Sequence, residues 1–333
     1  MTDRPAVRID RITKSFKDGK NKHRTIYKDM SIDIPSGELF IILGRNGVGK
    51  STLLKTIAGL DKNNNGTIEI LGKKPGCLTR KELSSMIAFV STEIPQINNL
   101  SVYDMVGMGR SPYTNWIGKL SPEDDEKIRE SIRMVGMESF THKDITTLSD
   151  GERQRIMIAR ALAQDSEIIL LDEPTAFLDI PYKYEIASLL RRLSHEHGKT
   201  IVFTTHDLNI ALRLADTVCI MTEGKAVYGA PEDIILNGSI NYMLKDSPLH
   251  YDIYDSEIKL AATVSDTVNL ICPEEIRKLL TLALERSGYS VNNNSYATVG
   301  VRYNGKVPEL SFVTPERSVK FSSVGELLRY LRR

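Results

Sequence analysis

Glu38-Leu39-Phe40-Ile41-Ile42-Leu43 runs directly into Gly44-Arg45-Asn46-Gly47-Val48-Gly49-Lys50-Ser51. The first six residues are a short, nearly continuous apolar run, the pattern of a parallel strand buried on both faces. The next eight fit GxxxxGK[ST], where glycines permit a tight turn. Leu53, Leu54, Ile57 and Ala58 then recur at helical spacing. A strand, a glycine-rich turn and a helix start in that order surround a polyanion with backbone N–H groups and the positive end of a helix dipole.

Working outward, Ile87-Ala88-Phe89-Val90, Ile168-Ile169-Leu170-Leu171, Thr200-Ile201-Val202-Phe203 and Thr217-Val218-Cys219-Ile220-Met221 read as further strands. A helix over Lys183–Leu193 separates two of them. Such alternation predicts a mainly parallel sheet covered on both faces. Leu100 to Thr147 is mostly helical; in Ser121-Pro122-Glu123-Asp124 an N-cap precedes a proline and two acids in the first turn. This stretch reads as an inserted helical subdomain, about 95–163. The pattern weakens near Lys245, and polar Asp246–Asp255, with Pro248, suits a linker. A small α/β appendage, 256–333, follows. Its helix over Glu274–Ser287 is expected to present Ile276, Leu279, Leu280 and Leu284 on one face. Val299, Val301 and Tyr303 alternate as in a strand, and Leu327, Leu328 and Leu331 fit a last short helix. Asn63–Asn65 and Asn292–Asn294 look like turns.

Composition sets bounds. The 333 residues suit one large domain, 1–245, plus a small one. With 41% hydrophobic and 26% charged residues, a water-soluble fold is expected. A net charge of +1 gives no basic excess for nucleic acid. Cys77, Cys219 and Cys272 form no CxxC pair, which argues against a disulfide framework or zinc site and fits a reducing compartment. No run of about 18 apolar residues spans a bilayer, and polar Met1–Asp10 gives no secretion signal. Any membrane role is expected through a partner, with the protein peripheral on the cytoplasmic face.

The chemistry follows from the turn. Lys50 is expected to reach the β- and γ-phosphates of ATP, and the Ser51 hydroxyl to ligate Mg²⁺. Gly44, Arg45, Asn46, Gly47, Val48, Gly49 and Thr52 complete the cradle. Asp172-Glu173 ends the apolar strand Ile168–Leu171. In P-loop NTPases the first such acid holds Mg²⁺, and a second can polarise an attacking water. The expected fold class is therefore α/β, a P-loop NTPase (RecA-like) parallel sheet core with the helical insertion and the C-terminal appendage.

Leu148-Ser149-Asp150-Gly151-Glu152-Arg153-Gln154-Arg155 adds a third element. Alone, Ser149 with Glu152 reads as a capping box. About a hundred residues after the glycine turn and some twenty before the acids, it resembles the LSxGE/Q signature of ABC ATPases. The resemblance runs from about Val7 to Leu244. It implies a homodimer in which Ser149, Gly151 and Glu152 face ATP held by the opposite copy. It also implies that Glu173, His206 and Lys50 are catalytic and that Leu178-Asp179 crosses the dimer interface. Phe16 takes the place of the aromatic that stacks on adenine, with Tyr27 as the alternative. One position departs from the family. Its loop glutamine after strand Ile87–Val90 is replaced by Thr92, with Glu93 next and Gln96 beyond, and Thr92 is the expected metal-side residue.

Val106-Gly107-Met108-Gly109-Arg110-Ser111-Pro112-Tyr113, His206–Ala211 and Leu178-Asp179-Ile180 are similar to importers of iron–siderophore complexes, haem and cobalamin. That likeness implies a separate membrane permease touching Gly109–Tyr113 and, indirectly, a substrate-binding protein. A soluble ABC ATPase acting on nucleic acid or ribosomes is the alternative. The single cassette, the lack of a coiled-coil insertion and the neutral charge oppose it.

Overall fold

The computed structural model describes residues 4–18, 22–62, 65–93, 98–114, 118–260, 266–304 and 307–332. The chain divides into two compact units, Met1–Asp246 and Ser247–Arg333.

In the first unit, strand Leu39–Leu43 lies inside a six-stranded sheet between Thr200–Thr205 and Thr217–Thr222. Ile168–Leu171 pairs with the far side of Thr200–Thr205, and Ile87–Val90 pairs beyond it. These five run parallel; Lys225–Gly229 closes the sheet antiparallel to Thr217–Thr222. All five residues of Leu39–Leu43 are buried, which explains the run's lack of polar alternation. Leu43 sits beside Thr205 and Ile220, and Leu171 beside Phe203. The loops after Leu43, Leu171 and Thr205 thus leave the same carboxyl end of the sheet, where open α/β sheets hold ligands.

A second sheet has the antiparallel order Lys22–Ile34, Val7–Asp18, Asn65–Ile70. The sequence pattern hid it. Ile9, Ile12, Met30 and Ile32 do face a core shared with Phe40, Ile42, Leu53, Leu54 and Ile57. Yet the pairing shifts between Ile9 and Ile12, and Arg11 and Asp29 take φ of 45° and 51°. These irregularities break the period of two that marks a strand. Asn65, expected in a turn, begins a strand instead; Asn63 and Asn64 lie outside the described residues.

The helical insertion contains Val102–Gly107, Pro122–Met134 and Asp150–Ala163. Each opens on a serine capping box: Ser101 with Asp104, Ser121 with Asp124, Ser149 with Glu152. The helix expected over Lys183–Leu193 is longer, Ile180–His197, with proline in its first turn and Gly198 as a left-handed C-cap.

The second unit carries a five-stranded sheet ordered Tyr289–Val291, Asp266–Ile271, Thr298–Asn304, Val307–Val313, Ser318–Phe321. The first three run parallel and the last two antiparallel. Helices Glu274–Glu285 and Val324–Leu331 cover it around Val268, Leu270, Leu284, Val301, Phe312 and Leu327. Two expectations fail here. Asp246–Asp255 is not a linker throughout, because Leu249–Asp252 pairs with Glu257–Leu260 in a hairpin. Lys259 binds Asp252 at 2.8 Å and also Asp255, so the polar character belongs to ion pairs. Leu279 does not share the buried face of Leu280 and Leu284; it is 64% exposed. Among the described residues, no helix is long and apolar enough to cross a membrane.

Candidate functional site

The glycine turn is fixed by backbone and space. Gly47 and Gly49 take φ of +83° and +104°, where side chains are strained. A Cβ on Gly49 would also run into Ile26, and one on Gly44 would stand 2.6 Å from the Met221 carbonyl oxygen and against Val48. Ile26, Asn46, Gly47, Gly49, Lys50, Ser51, Thr52 and Glu173 line one cleft. Lys50 begins helix Lys50–Ile57 and is buried. Its ammonium donates to the carbonyls of Gly44 at 2.8 Å and Arg45 at 3.2 Å, and stands 3.5 Å from Glu173 Oε1. The Arg45 side chain points elsewhere, 3.5 Å from Asp246.

The acids arrive from two strands away, and a buried hydroxyl spans the strand between. Asp172 Oδ1 accepts from Ser51 Oγ at 2.8 Å and from Thr204 Oγ1 at 2.8 Å. Thr204 Oγ1 in turn accepts the Glu173 N–H at 2.8 Å. Glu173 has a φ of 46°, uncommon for a non-glycine residue. Its other oxygen lies 3.6 Å from His206 Nδ1. His206 itself is half exposed. Asp207 caps the next helix by accepting from the N–H groups of Asn209 and Ile210.

The oxygens of Ser51 and Asp172 are hard donors of the kind Mg²⁺ takes, with phosphate and water completing its shell. Among the described residues no group of three or more His, Cys, Asp or Glu gathers to cage a metal. Thr92 is close by, but its hydroxyl donates to the Asp172 main-chain carbonyl at 2.9 Å and so braces the strand end. Thr92 and Glu173 line a further cleft with Asp150, Arg153, Gln154 and Phe177. Gln96 lies outside the described residues.

The two candidate adenine partners separate. Tyr27 is fully buried, its hydroxyl 3.0 Å from Thr56 Oγ1, and burial raises its pKa. It packs beneath the turn and cannot stack on a ligand. Phe16 is 44% exposed and pairs across the strand with Arg24, whose neighbours Thr25 and Ile26 line a cleft with Asn46, Gly47 and Val48.

Ser149, Gly151 and Glu152 do not line the Lys50 cleft of their own chain. Ser149 Oγ donates to Glu152 Oε2 at 2.9 Å and accepts the Glu152 N–H, so the plain helix cap is physically present. The Ser149 N–H and hydroxyl lower the Glu152 pKa. The space beside Gly151 is filled by the Tyr182 ring. Sequence reasoning passed over Thr204 and buried Gln154; neither occupies a marked position in a motif.

Residues 27–176 match the family model described as ABC transporter. An uncharacterized ABC transporter ATP-binding protein of Methanocaldococcus jannaschii is 40% identical over 250 residues, 74% of this chain and 86% of the relative. The chain belongs to the ATP-binding proteins of the ABC transporter family. The iron(3+)-hydroxamate import ATP-binding protein of Bacillus subtilis is 36% identical over 204 residues, 61% of this chain and 76% of its own. A solved dimeric ATP-binding cassette in a post-hydrolysis state bound to ADP and Pi aligns at TM-score 0.60 and 32% identity, covering 68% of this chain and 98% of that one. In this ABC ATPase the Gly109–Tyr113 stretch is partly structural. Arg110 is buried, donating to Asp124 Oδ1 at 2.7 Å and to the Ala163 carbonyl at 2.9 Å. A Cβ on Gly109 would stand 2.1 Å from the Arg160 carbonyl oxygen. Only Met108, Ser111 and Tyr113 of this region are exposed.

Proposed function

We propose that the chain is the ATP-hydrolysing subunit of an importer for ferric siderophores or a related iron chelate, working as a homodimer against a separate membrane permease. The observation that carries the enzymatic part is the network joining Lys50, Ser51, Asp172, Glu173 and His206 at one end of the sheet. Lys50 and the turn's N–H groups hold the β- and γ-phosphates. A γ-phosphate in the cradle competes with Glu173 for the Lys50 ammonium, freeing the Glu173 carboxylate to orient or deprotonate water for in-line attack. His206 steadies the γ-phosphate, and Phe16 stacks on adenine. Ser51 and Asp172 would hold Mg²⁺, which neutralises phosphate charge. Ser149 and Gly151 close the site from the opposite copy. Closure driven by ATP requires that ATP bind the closed pair better than the open one.

The cargo class rests on the likeness to the iron(3+)-hydroxamate import protein and on the Gly109–Tyr113 stretch. Met108, Ser111 and Tyr113 are the side chains offered to a permease at the membrane surface. Reconstitution with the permease in lipid vesicles, loaded inside with ATP, tests this. Uptake of a ferric hydroxamate above that of free iron supports the reading. Equal exclusion of every iron chelate, beside active uptake of another solute, contradicts it.

A further inference from the structure

Thr204 is completely buried in a strand interior, yet its hydroxyl uses both of its hydrogen-bonding roles within the site. It donates to Asp172 Oδ1 and accepts from the Glu173 N–H, each at 2.8 Å. A buried carboxylate is costly unless its lone pairs are satisfied. Asp172 is 6% exposed and, among the described residues, forms no ion pair; hydroxyls satisfy Oδ1 instead. Glu173 needs help of a different kind. Its left-handed backbone costs free energy and persists only where neighbours hold it. The Thr204 hydroxyl holds the N–H of that residue. The conformation it holds sends the Glu173 carboxylate between Lys50 at 3.5 Å and His206 at 3.6 Å.

We infer that Thr204 is a positioning residue for hydrolysis: one hydroxyl, on the strand next to theirs, sets both the magnesium-side acid and the water-side acid. The inference rests on the roles proposed above for Asp172 and Glu173. Thr204 is fully buried with its hydroxyl engaged by Asp172 and Glu173, so it acts through these two residues. Valine at this position keeps the size and branching of threonine but replaces the hydroxyl by a methyl against a carboxylate. Serine keeps the hydroxyl and loses the methyl.

The test is steady-state ATPase of the full chain for wild type, Thr204→Val, Thr204→Ser and Glu173→Gln, with affinity for a fluorescent ATP analogue measured in parallel. Thr204→Val is expected to lower kcat by about tenfold to a hundredfold, the scale of a lost hydrogen bond to a charged group. KM and analogue affinity should stay within about twofold, because the phosphate cradle is untouched. Thr204→Ser should recover most of the turnover. Thr204→Ala replaces the valine variant if that protein does not fold. Full activity of the hydroxyl-free variant beside an inactive Glu173→Gln overturns the inference alone. Equal damage in the serine and valine variants also overturns it, since methyl packing would then be the cause. Full activity of Glu173→Gln overturns instead the reading on which the inference rests.

Discussion

Lys50 shows how much one side chain depends on its surroundings. Its ammonium is taken from water and lodged among two carbonyls of a turn with three glycines and the Glu173 carboxylate, which arrives from another strand. The glycines and the lysine were legible because steric and charge requirements fix residue type at each step of the motif. Lys50→Ala should weaken ATP binding itself, by about tenfold or more, on the scale of a lost charge-assisted contact. Titration with a fluorescent ATP analogue checks this; unchanged affinity contradicts the assignment. Thr204 was not legible. Threonine in an apolar strand is ordinary by composition, and only the placement of Asp172 two strands from Lys50 gives it a task. Phe16 and Tyr27 could not be told apart in sequence either, since burial of one ring beneath the turn is a tertiary fact.

At the scale of elements, capping chemistry at Ser121-Pro122-Glu123-Asp124 marked a helix start, and the structure adds its extent, Pro122–Met134, and its consequence. The Asp124 carboxylate closes the Ser121 capping box and also receives Arg110, which reaches on to the end of helix Asp150–Ala163. One buried ion pair thus ties the start of one helix to the end of the next. The Ser121 N–H, and with it the Arg110 guanidinium, holds the Asp124 carboxyl below its ordinary value. A lowered folded value means stability that is fully present above the unfolded value, about 3.9, and lost as pH falls through the folded one. The thermal stability of wild type should therefore fall below about pH 4. Asp124→Asn, less stable at neutral pH, should show a shallower acid fall; an identical fall in both proteins contradicts this role. The long antiparallel strands Val7–Asp18 and Lys22–Ile34 escaped the sequence reading because their shifts interrupt alternation. The continuous apolar strands did not escape, because burial on both faces leaves no alternation to interrupt.

For the whole molecule, two separate sets of apolar residues matter. The sheet and helices of Ser247–Arg333 enclose their own core, and so does the larger unit. Chain severed after Asp246 should yield two pieces that each unfold cooperatively, with the larger retaining ATP binding. Calorimetry of the separate pieces checks this, and a piece without a cooperative transition contradicts it. The hairpin Leu249–Asp252 with Glu257–Leu260 was illegible because its charges pair with one another and mimic a solvated linker. Elsewhere the order of strands and helices was readable, while the way distant strand ends converge was not; convergence depends on sheet order, which no local pattern encodes.

Steady-state ATPase activity with the permease in lipid, for wild type and Glu173→Gln, tests the central claim most directly. Turnover that rises with the permease and falls about a hundredfold or more in the variant, with ATP affinity kept, is the predicted result. Near-normal turnover in Glu173→Gln, or activity indifferent to any permease and stimulated by nucleic acid, would contradict it.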